Sequence, residues 1–128
     1  MGKRYKTRAA RGIAAERQGR WAEVKAVWLL RFKGYRIYAR RQRTLAGEID
    51  IIARSLPGVW CFIEVKNRPD PIGAIAAVSR NQRSRIASAA EIFLHQKQAV
   101  GPARFDVISV VPGRLPRHFR DAWRPDDA

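Results

Sequence analysis

Acidic residues are scarce in this chain. Its 128 residues include 11 Asp+Glu against 26 Lys+Arg, a formal net charge of +15 and a sequence pI near 11.4. Such an imbalance repels the compact state against itself and suits a polyanionic partner, nucleic acid before an acidic membrane surface. Cysteine is nearly absent. Cys61 stands alone, which excludes an internal disulfide and a cysteine metal cage. Within Val59-Trp60-Cys61-Phe62-Ile63 it reads as a small buried hydrophobe rather than a reactive thiol. Long apolar runs are missing too. Stretches such as Ala26–Leu30 fall far short of the ~18–20 residues that span a bilayer, so no membrane partner is expected. No hydrophobic run follows the basic N-terminus, so no secretory signal is expected and a cytoplasmic location is the default. With 46% hydrophobic and 29% charged residues, the chain has the composition of one globular domain, without repeats or low-complexity tracts.

Residues 1–11 form a basic arm, expected to be flexible; residues 12–124 form one domain and residues 125–128 a tail. Ile13–Lys33 has a helical pattern, with Trp21, Val24, Ala26, Val27, Trp28 and Leu30 as its apolar face and Gly34 as its stop. Alternation predicts a strand over Tyr35–Arg40 and another over Gly47–Arg54, with turn residues at Ser55–Gly58. Val59–Asn67 is nearly continuous in apolar residues and reads as a central strand. Arg68–Pro71 is a loop. A second helix is expected over Ala74–Gln98, a buried strand over Arg104–Val111, and a short element at His118–Trp123 covering a sheet edge. The fold class is α/β: a mixed central sheet, built from a three-stranded meander plus a crossover strand, flanked by helices.

The sharpest signal is Gly47-Glu48-Ile49-Asp50-Ile51-Ile52 followed by Phe62-Ile63-Glu64-Val65-Lys66. Acids inside apolar strands are costly unless paired or bound to metal. Alternation puts Glu48 with Asp50 on one face, and Glu64 with Lys66 on one face. A hairpin turning about Pro57 sets Asp50 opposite Glu64 and Glu48 opposite Lys66, with Cβ atoms ~4.5–5.5 Å apart. This register needs an odd-length loop or a bulge. Asp50 and Glu64, with a carbonyl near Val65, would suit Mg²⁺ or Mn²⁺, which takes few carboxylates and accepts phosphate oxygens. Lys66 would hold a water or stabilise phosphate charge. Together these residues are equipment for metal-assisted phosphodiester hydrolysis. The alternative is a structural ion-pair cluster, Glu48 with Lys66 and Asp50 with an arginine.

The residues Arg31, Lys33, Arg36, Arg40, Arg41 and Arg43 form a basic run without an acid, suited to phosphate. Arg68, Arg80 and Arg83 extend the expected nucleic-acid surface. Tyr35 and Tyr38, interleaved with the run, read as packing residues. Trp21, Trp28 and Trp60 are expected in the core, and Trp123 in the core or at a dimer contact. His95 and His118 read as surface or packing residues, and Asp106 as a structural partner for an arginine. Taken alone, Glu23 reads as a solvated helical acid or a partner for Arg20.

An acid on one strand with Glu-x-Lys on the next resembles the PD-(D/E)xK nuclease superfamily, whose fold is restriction-endonuclease-like. Gly-Glu-Ile-Asp-Ile-Ile-Ala-Arg and Phe-Ile-Glu-Val-Lys-Asn-Arg resemble the YraN-like family of small bacterial proteins, similar in fold to archaeal Holliday-junction resolvases. Gly19-Arg20-Trp21-Ala22-Glu23, Lys33-Gly34-Tyr35, Arg104-Phe105-Asp106-Val107 and His118–Trp123 agree in order, so the resemblance covers about residues 19–123. It implies Asp50 and Glu64 as metal ligands, Lys66 as the catalytic lysine and Glu23 as an auxiliary acid. The activity implied is Mg²⁺-dependent endonucleolytic cleavage of DNA, branched DNA included, by a homodimer. A basic nucleic-acid-binding module that keeps the fold without catalysis is the alternative. Two positions depart from the family pattern: Ala22 stands in place of a glycine, and Asn81 in place of a lysine.

Overall fold

A computed structural model of the chain describes residues 8–126, with side chains described from residue 19 onward. The order is α1 (Arg8–Phe32), β1 (Arg36–Arg43), β2 (Glu48–Arg54), β3 (Trp60–Lys66), α2 (Pro71–Ala76), α3 (Arg80–Gln96), β4 (Ala103–Ser109) and β5 (Arg117–Trp123). Of the expected arm, residues 1–7 lie outside the described residues and residues 8–11 begin α1. Of the expected tail, residues 127–128 lie outside them too. No helix among the described residues is long and apolar enough to cross a membrane.

The five strands form one mixed sheet in the order β1-β2-β3-β4-β5. β1, β2 and β3 make the expected antiparallel meander, and α2–α3 carry the chain to β4, parallel to β3. β5 pairs antiparallel with β4, so His118–Trp123 extends the sheet and becomes its edge. The sheet is covered on both faces. Ile49, Ile52, Trp60, Phe62, Phe105 and Val107 pack against Ala74 of α2 and Ile86, Ala89, Ala90 and Phe93 of α3. Ile51, Ala53, Cys61, Ile63 and Ile108 pack against Ala26, Val27 and Leu30 of α1. Burial of Cys61 pushes its thiol up to about 11, so it stays protonated and inert.

α1 ends where Gly34 takes φ +90°, with Tyr35 N–H donating to Leu30 C=O at 2.9 Å and Gly34 N–H to Arg31 C=O at 3.0 Å. This paired closure favours glycine at the left-handed position. Two expectations are corrected. The helix expected over residues 74–98 is two helices. α2 starts earlier, at Pro71, with the Asp70 carboxylate accepting from Gly73 N–H. α3 starts at Arg80, with the Ser79 hydroxyl accepting from Gln82 N–H. Between them Arg83 donates to the carbonyls of Val78 (2.9 Å) and Ile75 (3.1 Å), satisfying a helix end that would otherwise be orphaned. The second correction concerns α1. Trp21 and Trp28 are 65% and 64% exposed, not core. The helix carries two apolar stripes, and the inward one is Ala26, Val27 and Leu30, with Glu23 aligned on it by the i, i+3, i+4, i+7 spacing. Trp60 and Trp123 are buried, and Trp123 stacks on Phe105 with centroids 4.3 Å apart.

Candidate active site

The β2–β3 hairpin sets the geometry. Its ladder runs from Arg54 opposite Trp60 to Ile51 opposite Ile63, the expected register. A loop of odd length, Ser55–Val59, closes it through Ser55 N–H to Val59 C=O at 2.9 Å. The ladder stops at Ile51–Ile63. Beyond it, side-chain carboxylates replace backbone carbonyls as acceptors. Val65 N–H donates to Asp50 Oδ2 at 2.9 Å, and Asp50 N–H to Glu64 Oε1 at 3.4 Å. The strand ends therefore exchange carboxyl groups.

Glu64 is only 3% exposed. Burial, and then the charge of Asp50, push its carboxyl well above the usual carboxylate range. Burial also raises Asp50, against the pull of the Val65 amide, the Glu64 hydrogen bond and the Lys66 charge. Two buried like charges cannot both ionise cheaply without a cation between them. On the other side of Glu64 stands Gln82, from the first turn of α3. Its amide N–H donates to Glu64 Oε2 at 3.2 Å, and its Oε1 accepts from Lys66 Nζ at 3.1 Å. Gln82 thus holds acid and lysine in fixed relation. Sequence reasoning missed Gln82; the Ser79-x-x-Gln82 spacing could have marked a helix start, but that pattern points to a side chain folded back on its own helix and not to a site.

Asp50, Glu64, Val65, Lys66 and Gln82 line a cavity of about 830 Å³ between the sheet end, α1 and α3, which Trp21 and Glu23 of α1 also line. That volume lies within the range of small-ligand sites. Glu23 is buried and accepts from Arg41 Nε at 2.7 Å. The structure therefore brings all four expected catalytic side chains to one cavity, and it ties Glu23 to an arginine from β1. Glu48 lies outside this arrangement, exposed and paired at 3.4 Å with Arg43. Among the described residues Lys66 bonds Gln82 and Glu48 bonds Arg43, so the Glu48–Lys66 pair of the structural alternative is not formed.

The donor set fits a hard divalent cation. It offers two carboxylates whose raised pKa values a cation would relieve, in a cavity with room for waters. Among the described residues no group of three or more His, Cys, Asp or Glu is placed to hold a metal. Two carboxylates plus waters suit Mg²⁺ or Mn²⁺ better than a closed zinc site.

Other polar residues divide into two groups. Arg36, Arg40, Arg43, Arg68 and Arg80 are exposed. Arg41 and Arg83 are half-buried, the first on Glu23 and the second on the α2–α3 junction. On the α1 face of β4, Asp106 is fully buried and accepts from Arg104, from Asp121 N–H and, at 2.8 Å, from His118 Nε2. Burial raises its carboxyl, but the His118 and Arg104 hydrogen bonds outweigh it and hold the pKa below the ordinary value. His118 also meets Lys33 Nζ at 2.7 Å. This cluster pins β5, the end of α1 and β4 together. Tyr35 and Tyr38 pack as expected, Tyr35 edge-on to His118 and Tyr38 on Trp60.

The family model described as "Uncharacterised protein family UPF0102" matches residues 22–110. The chain is 48% identical over 111 residues to a UPF0102 protein of Rhizobium etli, covering 85% of this chain and 90% of the relative. It is 45% identical over 130 residues to a UPF0102 protein of Parvibaculum lavamentivorans, covering 95% and 97%. A UPF0102 protein of Maricaulis maris is 45% identical over 125 residues, covering 95% of each. The match spans β1 to β4 with Asp50, Glu64, Lys66 and Gln82 inside it, and the chain belongs to the UPF0102 family.

Proposed function

We infer that this protein is a Mg²⁺- or Mn²⁺-dependent endonuclease that binds DNA and hydrolyses its phosphodiester bonds, branched DNA among its substrates. The observation that carries the reading is the pair of half-buried Asp50 and buried Glu64, with Lys66 fixed beside it by Gln82, lining one cavity in a chain of net charge +15. Asp50 and Glu64 hold the cation, with Val65 beside them. When bound, the metal neutralises phosphate charge and acidifies a water. Lys66 presents a cation to phosphate oxygens entering the cavity, and Gln82 keeps its ammonium on the side of Glu64. Glu23, freed from Arg41, is the auxiliary proton acceptor. Exposed Arg36, Arg40, Arg43, Arg68 and Arg80 supply the salt-dependent grip on the backbone. A cytoplasmic setting, where the nucleic acid is found, suits this reading.

Incubation with branched, single-stranded and duplex DNA in Mg²⁺ or Mn²⁺ tests it. The wild type is expected to cut and Asp50→Asn to bind without cutting. Equal cutting by the two would assign the activity to a contaminant. Tight, salt-sensitive binding without cutting by the wild type would leave a binding module that keeps the nuclease-like fold.

A further inference from the structure

α1 turns three aromatic rings to solvent. Trp21 is 65% exposed, Trp28 64% and Phe32 93%. Their spacing of seven and then four residues sets them on one stripe, within about 40° of one another around the axis and roughly 10 Å and 6 Å apart along it. The core does not need them, because Ala26, Val27 and Leu30 already pack the opposite stripe onto the sheet. Single exposed apolar side chains are ordinary, but a row of large rings marks a surface that meets something.

Charge and placement identify the occupant. Arg20, Lys25 and Arg31 belong to the same stretch of helix, and its one acid, Glu23, is turned inward onto Arg41. The Arg31 guanidinium lies 5.6 Å from the centroid of the Trp28 ring. A second copy of the chain would bring +15 against +15. A polyanion with flat apolar faces is the complementary partner, and nucleic acid has both. Trp21 also lines the cavity that holds Asp50, Glu64 and Lys66, so the stripe begins at the mouth of that cavity and leads away from it. Spacing decides between paired and unpaired strands. Duplex bases lie ~3.4 Å apart along each strand, with their faces covered by neighbours, so they cannot reach rings set roughly 6 and 10 Å apart. Unstacked bases can.

We propose that the outer face of α1 is a stacking platform for an unpaired strand of nucleic acid, seating the single-stranded flank of a substrate whose phosphate enters the cavity. This rests on the reading of the cavity as directed at nucleic acid, and it narrows the substrate to strands with an unpaired segment: single strands, flaps or open junction arms. Aromatic stacking tolerates sequence, so the platform selects strandedness rather than sequence.

The test is fluorescence anisotropy with a labelled oligothymidine and a blunt duplex of equal length, in EDTA so that nothing is cut. Trp21→Leu, Trp28→Leu and Phe32→Leu are each expected to weaken single-strand binding by about 5- to 150-fold, the span of one lost base stack. Duplex binding should change less than twofold. Trp28→Phe keeps an aromatic face and should keep most of the single-strand affinity. The rings are exposed, so melting temperatures should stay near the wild type. Leucine variants that bind like the wild type, or that lose both DNAs equally, would overturn the platform. A wild-type dimer in sedimentation that Trp28→Leu dissociates with DNA binding unchanged would overturn it in favour of a second copy. Because cleavage is not read, a wild type that never cuts yet shows the ring-dependent preference supports the platform while refuting the nuclease. In a separate Mg²⁺ assay, a variant with all three leucines that cuts a single-stranded flap as fast as the wild type would do the reverse.

Discussion

Glu64→Gln isolates the electrostatics of the carboxylate pair without a substrate. Glutamine copies the shape of the protonated acid and cannot ionise. In the unfolded chain the Glu64 carboxyl titrates near its ordinary value; in the folded protein, burial and Asp50 displace it well upward. Between those two points the folded state holds a proton that the unfolded state has released, so stability falls as pH rises. The contribution is complete below the unfolded pKa and lost as pH rises through the folded one. Each pH unit of displacement is worth roughly 1 kcal/mol. For a chain of this length that is a Tm change of about 3–5 °C. In metal-free buffer, Glu64→Gln should therefore match the wild type below about pH 4.5, the ordinary carboxylate value. It should become progressively more stable than the wild type as pH rises towards 8. Thermal melts in EDTA across that range measure it. A difference that does not vary with pH, or a glutamine variant less stable than the wild type at the alkaline end, would refute the claim that burial and the neighbouring Asp50 raise the Glu64 carboxyl.

Mg²⁺ or Mn²⁺ at about a hundred times its Kd should stabilise the wild type by about 2.7 kcal/mol, and at one fixed metal concentration the gain should grow as pH rises, because the pair must release its proton. Melts of Asp50→Asn and Glu64→Gln should not respond; an equal response would place the metal elsewhere. Lys66→Met should lower the cleavage rate by about 10²–10³-fold while anisotropy shows DNA binding little changed, and a parallel loss of both would make Lys66 a mere anchor. Asp106→Asn removes the buried charge and one of the two oxygens that Arg104, His118 and the Asp121 amide share, and should cost about 3–5 kcal/mol in denaturant unfolding. The Asp106 carboxyl sits below its ordinary value, so its contribution is present above the unfolded pKa and lost as pH falls through the folded one. The variant should therefore show a shallower acid limb than the wild type, and an unchanged limb would count against the buried charge.

The hairpin was legible because two independent rules agree on it. Acids at Asp50 and Glu64 had to share a site, and the turn residues Ser55–Gly58 allowed the odd loop that sets them opposite. Topology followed from element order, since three consecutive strands favour a meander and a long helical segment permits a parallel return. α1 was misread because tryptophans at 21 and 28 repeat at a helical period as well as Ala26, Val27 and Leu30 do. Periodicity shows that a stripe exists and does not say which stripe meets the sheet. The break between α2 and α3 contains neither glycine nor proline; it rests on the Ser79 cap and on Arg83 reaching back, a tertiary contact. Arg41 is likewise a backbone matter. Its φ of 51° interrupts the alternation of β1, and its guanidinium is found on Glu23. A run of basic residues in sequence therefore contains exposed cations together with one, Arg41, that holds the fold.

The exchange of carboxyls at the strand ends bears on how Asp50 should be mutated. The Val65 amide donates to Asp50 Oδ2, beyond the end of the β2–β3 ladder. Alanine at position 50 removes that acceptor and leaves a half-buried backbone donor unpaired, at a cost of about 1–3 kcal/mol. Asparagine removes the charge and keeps an oxygen in place. The two variants should thus diverge. Asp50→Asn should melt at or above the wild-type temperature in EDTA and lack metal binding. Asp50→Ala should lack metal binding and also melt lower, with faster amide exchange at Val65. If the two variants melt alike and the Val65 amide stays protected in both, Asp50 does not fasten the strand ends. The cavity would then be shaped by the surrounding core alone, and alanine would be as clean a probe of catalysis as asparagine.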